Sequence, residues 1–369
     1  MFIRNLAVIN YKNLIQADLQ FSSKLNCFIG KNGVGKTNLL DCLFYLSYCK
    51  SCFNLPDNQN VRHSEDFFVM QGKYDVGGEP EDIYCGFKSG RKKVFRRNKK
   101  EYERLSQHIG LLPLVMISPS DSILIQGGSE ERRRFMDSVI SQYDRQYLDW
   151  LLKYNRALLQ RNNLLKFFGT NHQFDNDSLE VWNEQLIFTG EKIYSKRVEF
   201  LNALLPVFQN YYDFISQGNE KVSLEYLSQL KDQDFGKLLN ESADKDRVLQ
   251  YTSIGIHKDD LDLKIDDYPI KRLGSQGQNK TFLISLKFAQ FDFIRSVNMV
   301  KPILLLDDIF DKLDSSRVER IVKLVSDSSF GQIFITDTNR EHLDGIFREV
   351  AGADYKIFLV SSGQITVMN

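Results

Sequence analysis

Residues 30–37 read Gly-Lys-Asn-Gly-Val-Gly-Lys-Thr and directly follow the apolar run Cys27-Phe28-Ile29. Glycines at this density let a backbone turn tightly, so that successive N–H groups point inward as an anion nest. Every fixed position of the pattern G-x-x-x-x-G-K-[ST] is met. The next stretch, Thr37 to Tyr48, has helical spacing and is apolar around much of its surface. A buried helix there aims its positive end at the same point. Gly30, Lys31, Asn32, Gly33, Val34, Gly35, Lys36 and Thr37 are therefore expected to bind a nucleotide, and Lys36 to bridge its outer phosphates. The Thr37 hydroxyl is placed for Mg²⁺. The alternative, a glycine-rich turn that binds nothing, does not account for the strand before it and the helix after it.

A phosphate loop alone does not separate kinases, GTPases and motor ATPases; the C-terminal third does. Ile303 to Asp314 (ILLLDDIFDKLD) reads as a short buried strand ending in two carboxylates. Asp307 is expected to hold Mg²⁺ through water and Asp308 to orient the attacking water. Lys36, Asp307 and Asp308 are thus the candidate catalytic residues, and Thr37 and Asp307 the metal pair. The bland reading is an acidic strand end that caps the next helix. Upstream, Ser275, Gln276, Gly277 and Gln278 stand immediately before an apolar helical stretch, a second helix start suited to an anion.

Composition sets bounds. The 369 residues suffice for two domains or for one large domain with an insertion, and 42% are apolar. Lys+Arg and Asp+Glu are 48 each, so any nucleic-acid contact must come from a local patch rather than from net charge. No apolar run approaches the length of a membrane helix. The N-terminus is charged too early for a signal peptide, and five cysteines fit a reducing compartment. The expectation is a cytoplasmic protein. Cys49 and Cys52 form one CxxC without a second pair, so Cys49 is expected to pack at a helix end.

Along the chain, Phe2–Val8, Ala17–Phe21, Leu25–Ile29 and residues 67–88 read as strands. Between about 130 and 245 glycine becomes scarce and long charged-apolar segments appear, broken by the turn-rich residues 171–178. Tyr147, Leu151, Tyr154, Leu158 and Leu165 have the spacing of a helix–helix seam. Strands return from 250.

The segments GKNGVGKTNLLDCLFYLS (30–47), PSDSILIQGGSEERRRFMD (119–137), GIHKDDL (255–261), SQGQNKTFLISLKFA (275–289) and LLLDDIFDKLD (304–314) span the chain in order. In that order they resemble the ABC-type ATPase heads of the SMC class, and more closely the RecF family of bacterial DNA replication and repair proteins. The family tends to have Pro-His-Arg where this chain has Ile256-His257-Lys258. It often has an arginine after the Lys-Ser that here precedes Cys52-Phe53. The resemblance implies an α/β fold: a discontinuous P-loop head with mixed sheets over 1–125 and 248–369, and an all-helical arm inserted at 126–247. It implies ATP and Mg²⁺ as cofactors and a homodimer formed on ATP binding, in which Ser275, Gln276, Gly277 and Gln278 of one copy face the phosphate loop of the other. Asp314 then sits at the dimer seam, and Asp337 at the place where such ATPases carry a switch residue. DNA with gaps or junctions lies across the dimer, with RecO and RecR as partners in recombinase loading. Hydrolysis is slow, and Asp308 is shorter than the glutamate common in ABC ATPases.

The densest basic cluster is residues 90–100, with Arg91, Lys92, Lys93, Arg96, Arg97, Lys99 and Lys100. Two readings stand side by side: DNA phosphate contact, or an edge strand guarded by charge. Arg132, Arg133 and Arg134 either touch DNA or brace the arm against the head, with bracing favoured; His257 reads as a structural histidine packed near the nucleotide. Two rival functions remain in view. A small-molecule hydrolase or kinase has no use for the signature segment. A transporter's ATP subunit has no use for a long helical insert.

Overall fold

The computed structural model describes residues 1–53, 55–171, 175–218, 220–298, 300–311, 313–326, 329–338, 354–361 and 363–368. Lys312 of the acidic segment and residues 172–174 of the turn-rich segment lie outside the described residues.

The chain opens with β1 (Phe2–Tyr11), β2 (Leu14–Gln20), β3 (Leu25–Ile29), α1 (Lys36–Tyr48), β4 (Phe67–Val76) and β5 (Glu79–Lys88). Short strands β6 (Val94–Arg97), β7 (Lys100–Glu101) and β8 (Leu114–Ile117) follow. Then come α2 (Ile123–Gln126), α3 (Ser129–Tyr143), α4 (Arg145–Asn171), α5 (Asn176–Ser216), β9 (Val222–Leu227), α6 (Phe235–Glu241) and α7 (Ala243–Leu249). After β10 (Asp260–Ile265), β11 (Tyr268–Pro269) and α8 (Ile270–Leu273), the chain continues with α9 (Gln276–Asn298), β12 (Ile303–Asp307) and α10 (Ser315–Ser326). β13 (Ile333–Asp337), β14 (Tyr355–Ser361) and β15 (Gln364–Met368) are the last described elements.

These elements form two compact units. The first comprises Met1–Asp121, Tyr211–Gln217 and Gln276–Asn369; the second comprises Ser122–Asn210 and Gly218–Ser275. The insertion therefore starts close to the expected residue 126 but runs on past 247. The reason is pairing: β10 joins β9 antiparallel, with Leu263 opposite Leu224, so the 260s belong with the arm. The same sheet, ordered β11-β10-β9, corrects the expectation of a wholly helical insertion. Among the described residues the arm is mainly helical and carries three short strands.

In the first unit a sheet ordered β15-β14-β3-β13-β12-β8 is parallel from β14 to β8, with β15 folded back on β14. All five residues of β12 are buried, which is why it reads as an unbroken apolar run. Each aliphatic side chain so buried contributes about 1.5–3 kcal/mol. The register places Ile29 beside Asp337 and Asp307 beside Thr336, so β3, β12 and β13 end together. Ligands of open α/β sheets bind at such carboxyl ends. The second sheet, β2-β1-β4-β5-β6-β7, is antiparallel. Helix α1 packs against strands of both sheets, and Leu39, Leu43, Leu46, Phe28 and Phe68 share one core. The buried amide of Gln332 stitches the sheets: it accepts from the Ile3 N–H and donates to the Ile3 carbonyl, both at 2.8 Å.

In the second unit the buried stripe of α4 is Tyr147, Tyr154, Ala157, Arg161, Leu165 and Phe168; Leu151 and Leu158 are half-buried. Arg161 donates to Asn183 Oδ1 and pairs with Asp246, each at 2.7 Å. Arg197 of α5 is also buried, between Asp137 of α3 at 2.9 Å and Asp259 at 3.2 Å. Breaking a buried pair costs about 3–5 kcal/mol, so these two arginines lock the helices together. Arg132 forks onto Asp260 at 2.7 and 3.0 Å, Arg133 donates to the Asp259 carbonyl at 2.5 Å, and Arg134 pairs with Glu130 and Glu131. These bonds all lie within the second unit, so they brace the arm internally and are not the arm-to-head contacts expected. His257 bonds Tyr154 Oη at 2.8 Å and the Thr252 carbonyl at 3.0 Å; burial pushes its pKa down to about 4. A half-buried histidine with both ring nitrogens engaged is structural.

Candidate functional site

The phosphate loop turns between β3 and α1 as the glycines require. Gly33 and Gly35 have φ of 79° and 113°, the left-handed region that L side chains rarely adopt. Gly30 is needed for closeness rather than φ: a Cβ there would lie 2.4 Å from the Val360 carbonyl oxygen of β14. Gly35 caps α1 without a side-chain bond, so no side chain of the cap competes for the first amides. Lys36 is 4% exposed and folds back over the loop, its ammonium donating to the Gly30 and Lys31 carbonyls at 2.8 and 3.2 Å. Lys31, Asn32 and Gly33 are exposed at the loop's crest.

Sequence reasoning did not find two residues that hold this loop. Asn13, between β1 and β2, donates to the Gly33 carbonyl at 3.4 Å and accepts from Asn38 Nδ2 at 2.8 Å. Asp41 of α1 is fully buried and accepts from Tyr11 Oη at 2.5 Å, Lys12 Nζ at 2.6 Å, Ser51 Oγ at 2.8 Å and the Cys52 N–H at 2.7 Å. The Lys12 ammonium also lies 4.4 Å from the Phe53 ring centroid. Residues 51–53, where the chain departs from the family pattern, thus support α1 from below. Cys49 ends α1 in a left-handed cap and is buried, as expected.

The acidic strand meets the loop across 270 positions of sequence. Thr37 Oγ1 donates to Asp307 Oδ1 at 3.0 Å, and Thr336 Oγ1 donates to the same oxygen at 2.6 Å. Thr336 is fully buried on β13 and is a third residue the sequence reading missed. It also accepts from the Asp308 N–H, at 3.1 Å on Oγ1 and 3.3 Å on its carbonyl. Asp308 adopts φ 45°, uncommon for a residue with a side chain and found mostly where surrounding structure enforces it. Desolvation raises the pKa of both Asp307 and Asp308, and Lys36 opposes the rise at each. Asp337, ending β13, is buried and adds repulsion at Asp308. The structure thus gathers Lys36, Thr37, Asp307, Asp308 and Asp337 at one sheet end. Two acids kept partly desolvated beside a hydroxyl suit a hard dication that retains waters, which is the habit of Mg²⁺.

Ser275 directly precedes α9 and is exposed, as is Gln276; Gly277 and Gln278 are half-buried in its first turn. One turn in, Lys280 donates to the Asp311 carbonyl after β12. Asp314 caps α10, its Oδ1 accepting from the Arg317 N–H at 3.0 Å, so the bland capping reading also describes it.

The basic cluster sits at the edge of the antiparallel sheet, where β7 is the last strand. Asn98 and Lys99 have φ of 50° and 70°, the two-residue hairpin geometry of a primed turn. Its charges divide. Lys93 is bound to Asp57 at 3.0 Å and to the Cys49 carbonyl at 2.7 Å, and Arg97 forks onto Glu81. Arg91, Lys92, Arg96, Lys99 and Lys100 are exposed.

The family model for the RecF/RecN/SMC N-terminal domain matches residues 2–357. A curated DNA replication and repair protein RecF of Bacteroides fragilis (strain YCH46) is 56% identical over all of this chain and 99% of that relative. The chain belongs to the RecF family. RecF of Flavobacterium johnsoniae is 51% identical, over 97% of this chain and 99% of that one. Among solved structures, the recombination mediator protein RecF-ATP in the RecFOR pathway matches with TM-score 0.90 and 27% identity, covering 100% of this chain and 98% of that one. An Smc head domain from Pyrococcus furiosus matches at 16% identity and TM-score 0.58, a likeness of fold. An ABC-type ATPase head with a helical arm is thus the architecture of this RecF-family chain. Among the described residues no helix is long and apolar enough to cross a membrane.

Proposed function

We propose that this RecF-family chain is an ATP-dependent DNA-binding protein of recombinational repair and replication restart. Two copies sandwich two ATP molecules, close on gapped or junction DNA, and help load recombinase with RecO and RecR. The observation that carries the nucleotide part is the bond from Thr37 to Asp307, which unites the phosphate loop and the acidic strand end. Thr37 and Asp307 are the residues that would hold Mg²⁺; when bound, the ion neutralises charge on the outer phosphates. Lys36 binds those phosphates, and Asp308 takes a proton from the attacking water. Ser275 and the backbone of Gly277, with Gln276 and Gln278 beside them, meet the γ-phosphate of the other copy, and Asp314 lies at the seam. Asp337, beside Asp308, acts as the switch acid. The RecF-ATP structure supports ATP as the nucleotide, and the cytoplasm is the natural compartment for a DNA-repair ATPase.

The test is assembly. With ATP the chain is expected to shift from monomer to dimer in sedimentation, and DNA to speed its slow hydrolysis. Ser275→Arg is expected to leave ATP binding to the monomer unchanged and to block the dimer. Loss of monomer binding in that variant would mean that Ser275 serves its own chain's pocket.

DNA contact is assigned to Arg91, Lys92 and Arg96, with Lys99 and Lys100, because Lys93 is engaged by Asp57 and the Cys49 carbonyl and Arg97 by Glu81. Replacing those five by alanine is expected to flatten the dependence of log affinity on log salt, by up to about 4.5 on duplex DNA if each touches a phosphate. An unchanged slope would leave them as guards of a sheet edge.

A further inference from the structure

We propose that Arg317 reaches the γ-phosphate of the nucleotide held by a second copy of this chain and completes the composite pocket in trans; this rests on the dimer reading above. Arg317 lies in the first turn of α10, after the acidic strand and Asp314. A Cβ built on Gly277 would stand 2.6 Å from Arg317 Nη1, so the guanidinium lies directly against the signature glycine. The bare backbone at Gly277 leaves room for this approach. The same guanidinium offers Nε to Asp314 Oδ2 at 3.3 Å. Arg317 therefore joins the two segments expected at the dimer seam, which are 37 positions apart (314 − 277) in the sequence.

Other cations nearby are committed. Lys280 is drawn to the Asp311 carbonyl, and Arg320 donates to the Ile215 carbonyl at 2.7 Å. Among the described residues, Nη1 and Nη2 of Arg317 donate no hydrogen bond. The Asp314 side chain is 56% exposed, and an exposed pair contributes about 0–1 kcal/mol. Exchanging that carboxylate for a phosphate therefore costs little. A phosphate presents the paired oxygens that a guanidinium edge fits bidentately, which an ammonium does not.

In a single-turnover assay, Arg317→Ala is expected to leave ATP affinity of the monomer within about twofold and to lower hydrolysis about a hundredfold, the usual effect of removing one charge-stabilising donor. Arg317→Lys is expected to recover part of the loss. The deciding measurement mixes Arg317→Ala with Asp308→Asn. In a mixed dimer, the pocket using the Asp308 of the first variant and the Arg317 of the second is intact, so hydrolysis is expected to rise well above either variant alone. Ser275→Ala mixed with Asp308→Asn serves as the companion. Recovery with Ser275→Ala but not with Arg317→Ala would overturn the assignment of Arg317 and leave the dimer reading standing. Recovery with neither would overturn the dimer reading itself. Native hydrolysis in Arg317→Ala alone would also overturn the assignment.

Discussion

Lys36→Met is expected to weaken ATP binding on the order of a hundred- to a thousandfold and to abolish the ATP-dependent dimer. The ammonium is nearly buried and is held over the loop by the Gly30 and Lys31 carbonyls. A phosphate entering the nest meets a charge already aimed at it, so little side-chain entropy is lost on binding. Removing one partner of a buried charge pair costs about 3–5 kcal/mol, and each 1.36 kcal/mol is a factor of ten. Methionine keeps the length and helix propensity of lysine at the first position of α1. The helix and the core beneath it, Leu39, Leu40 and Leu43, therefore stay in place. Titration with a fluorescent ATP analogue and sedimentation with ATP read the two effects. A variant that dimerises at the native ATP concentration would remove Lys36 from the pocket.

Local chemistry was legible in the sequence. The turn at 30–37 needs glycine within a few residues, and β12 needs an apolar run ended by acids, so both read directly. The residues that join them did not read. Thr336 looks like any β-branched strand residue; only the parallel register of β13 beside β12 shows that its hydroxyl fixes Asp307 and Asp308. Asn13 lies in a short loop between strands, and nothing local tells that it supports a loop twenty residues on. The arm's boundary failed for the same reason. β10 has the alternating texture of a head strand, and its partner β9 lies 33 residues earlier (260 − 227) by the nearest ends. Arg161 and Arg197 do carry a signal: each is an arginine at a position where helical spacing calls for an apolar residue. Such a residue is buried only if partners await it, and Asp246, Asp137 and Asp259 do. Among the basic residues at 91–100, charge alone did not separate Lys93 and Arg97, whose acceptors come from other strands and turns.

Asp308→Asn is expected to slow hydrolysis about 10²- to 10⁴-fold, the range for removing a general base, and to leave ATP binding and the dimer intact. The two neighbouring acids are set up differently. Asp307 is occupied by the hydroxyls of Thr37 and Thr336. Asp308, half-buried, has a carboxylate that accepts no hydrogen bond among the described residues, so it can take a proton from water. Its backbone is held at φ 45° by the bonds from its N–H to Thr336. Asparagine tolerates the left-handed region at least as well as aspartate, so the backbone is expected to remain. The acid also sets a pH dependence. Desolvation holds its pKa above the ordinary aspartate value. As the proposed base, Asp308 would work only when ionised, so the native rate is expected to fall as pH drops through that raised pKa, earlier than for an exposed aspartate. In the asparagine variant this acid limb should vanish while the ATP-bound dimer accumulates, measurable by single-turnover hydrolysis across pH and by sedimentation of the same samples. Hydrolysis within threefold of native, with the acid limb retained, would move the base to another residue. Loss of the dimer instead would make Asp308 a support of the strand end rather than a participant in the chemistry.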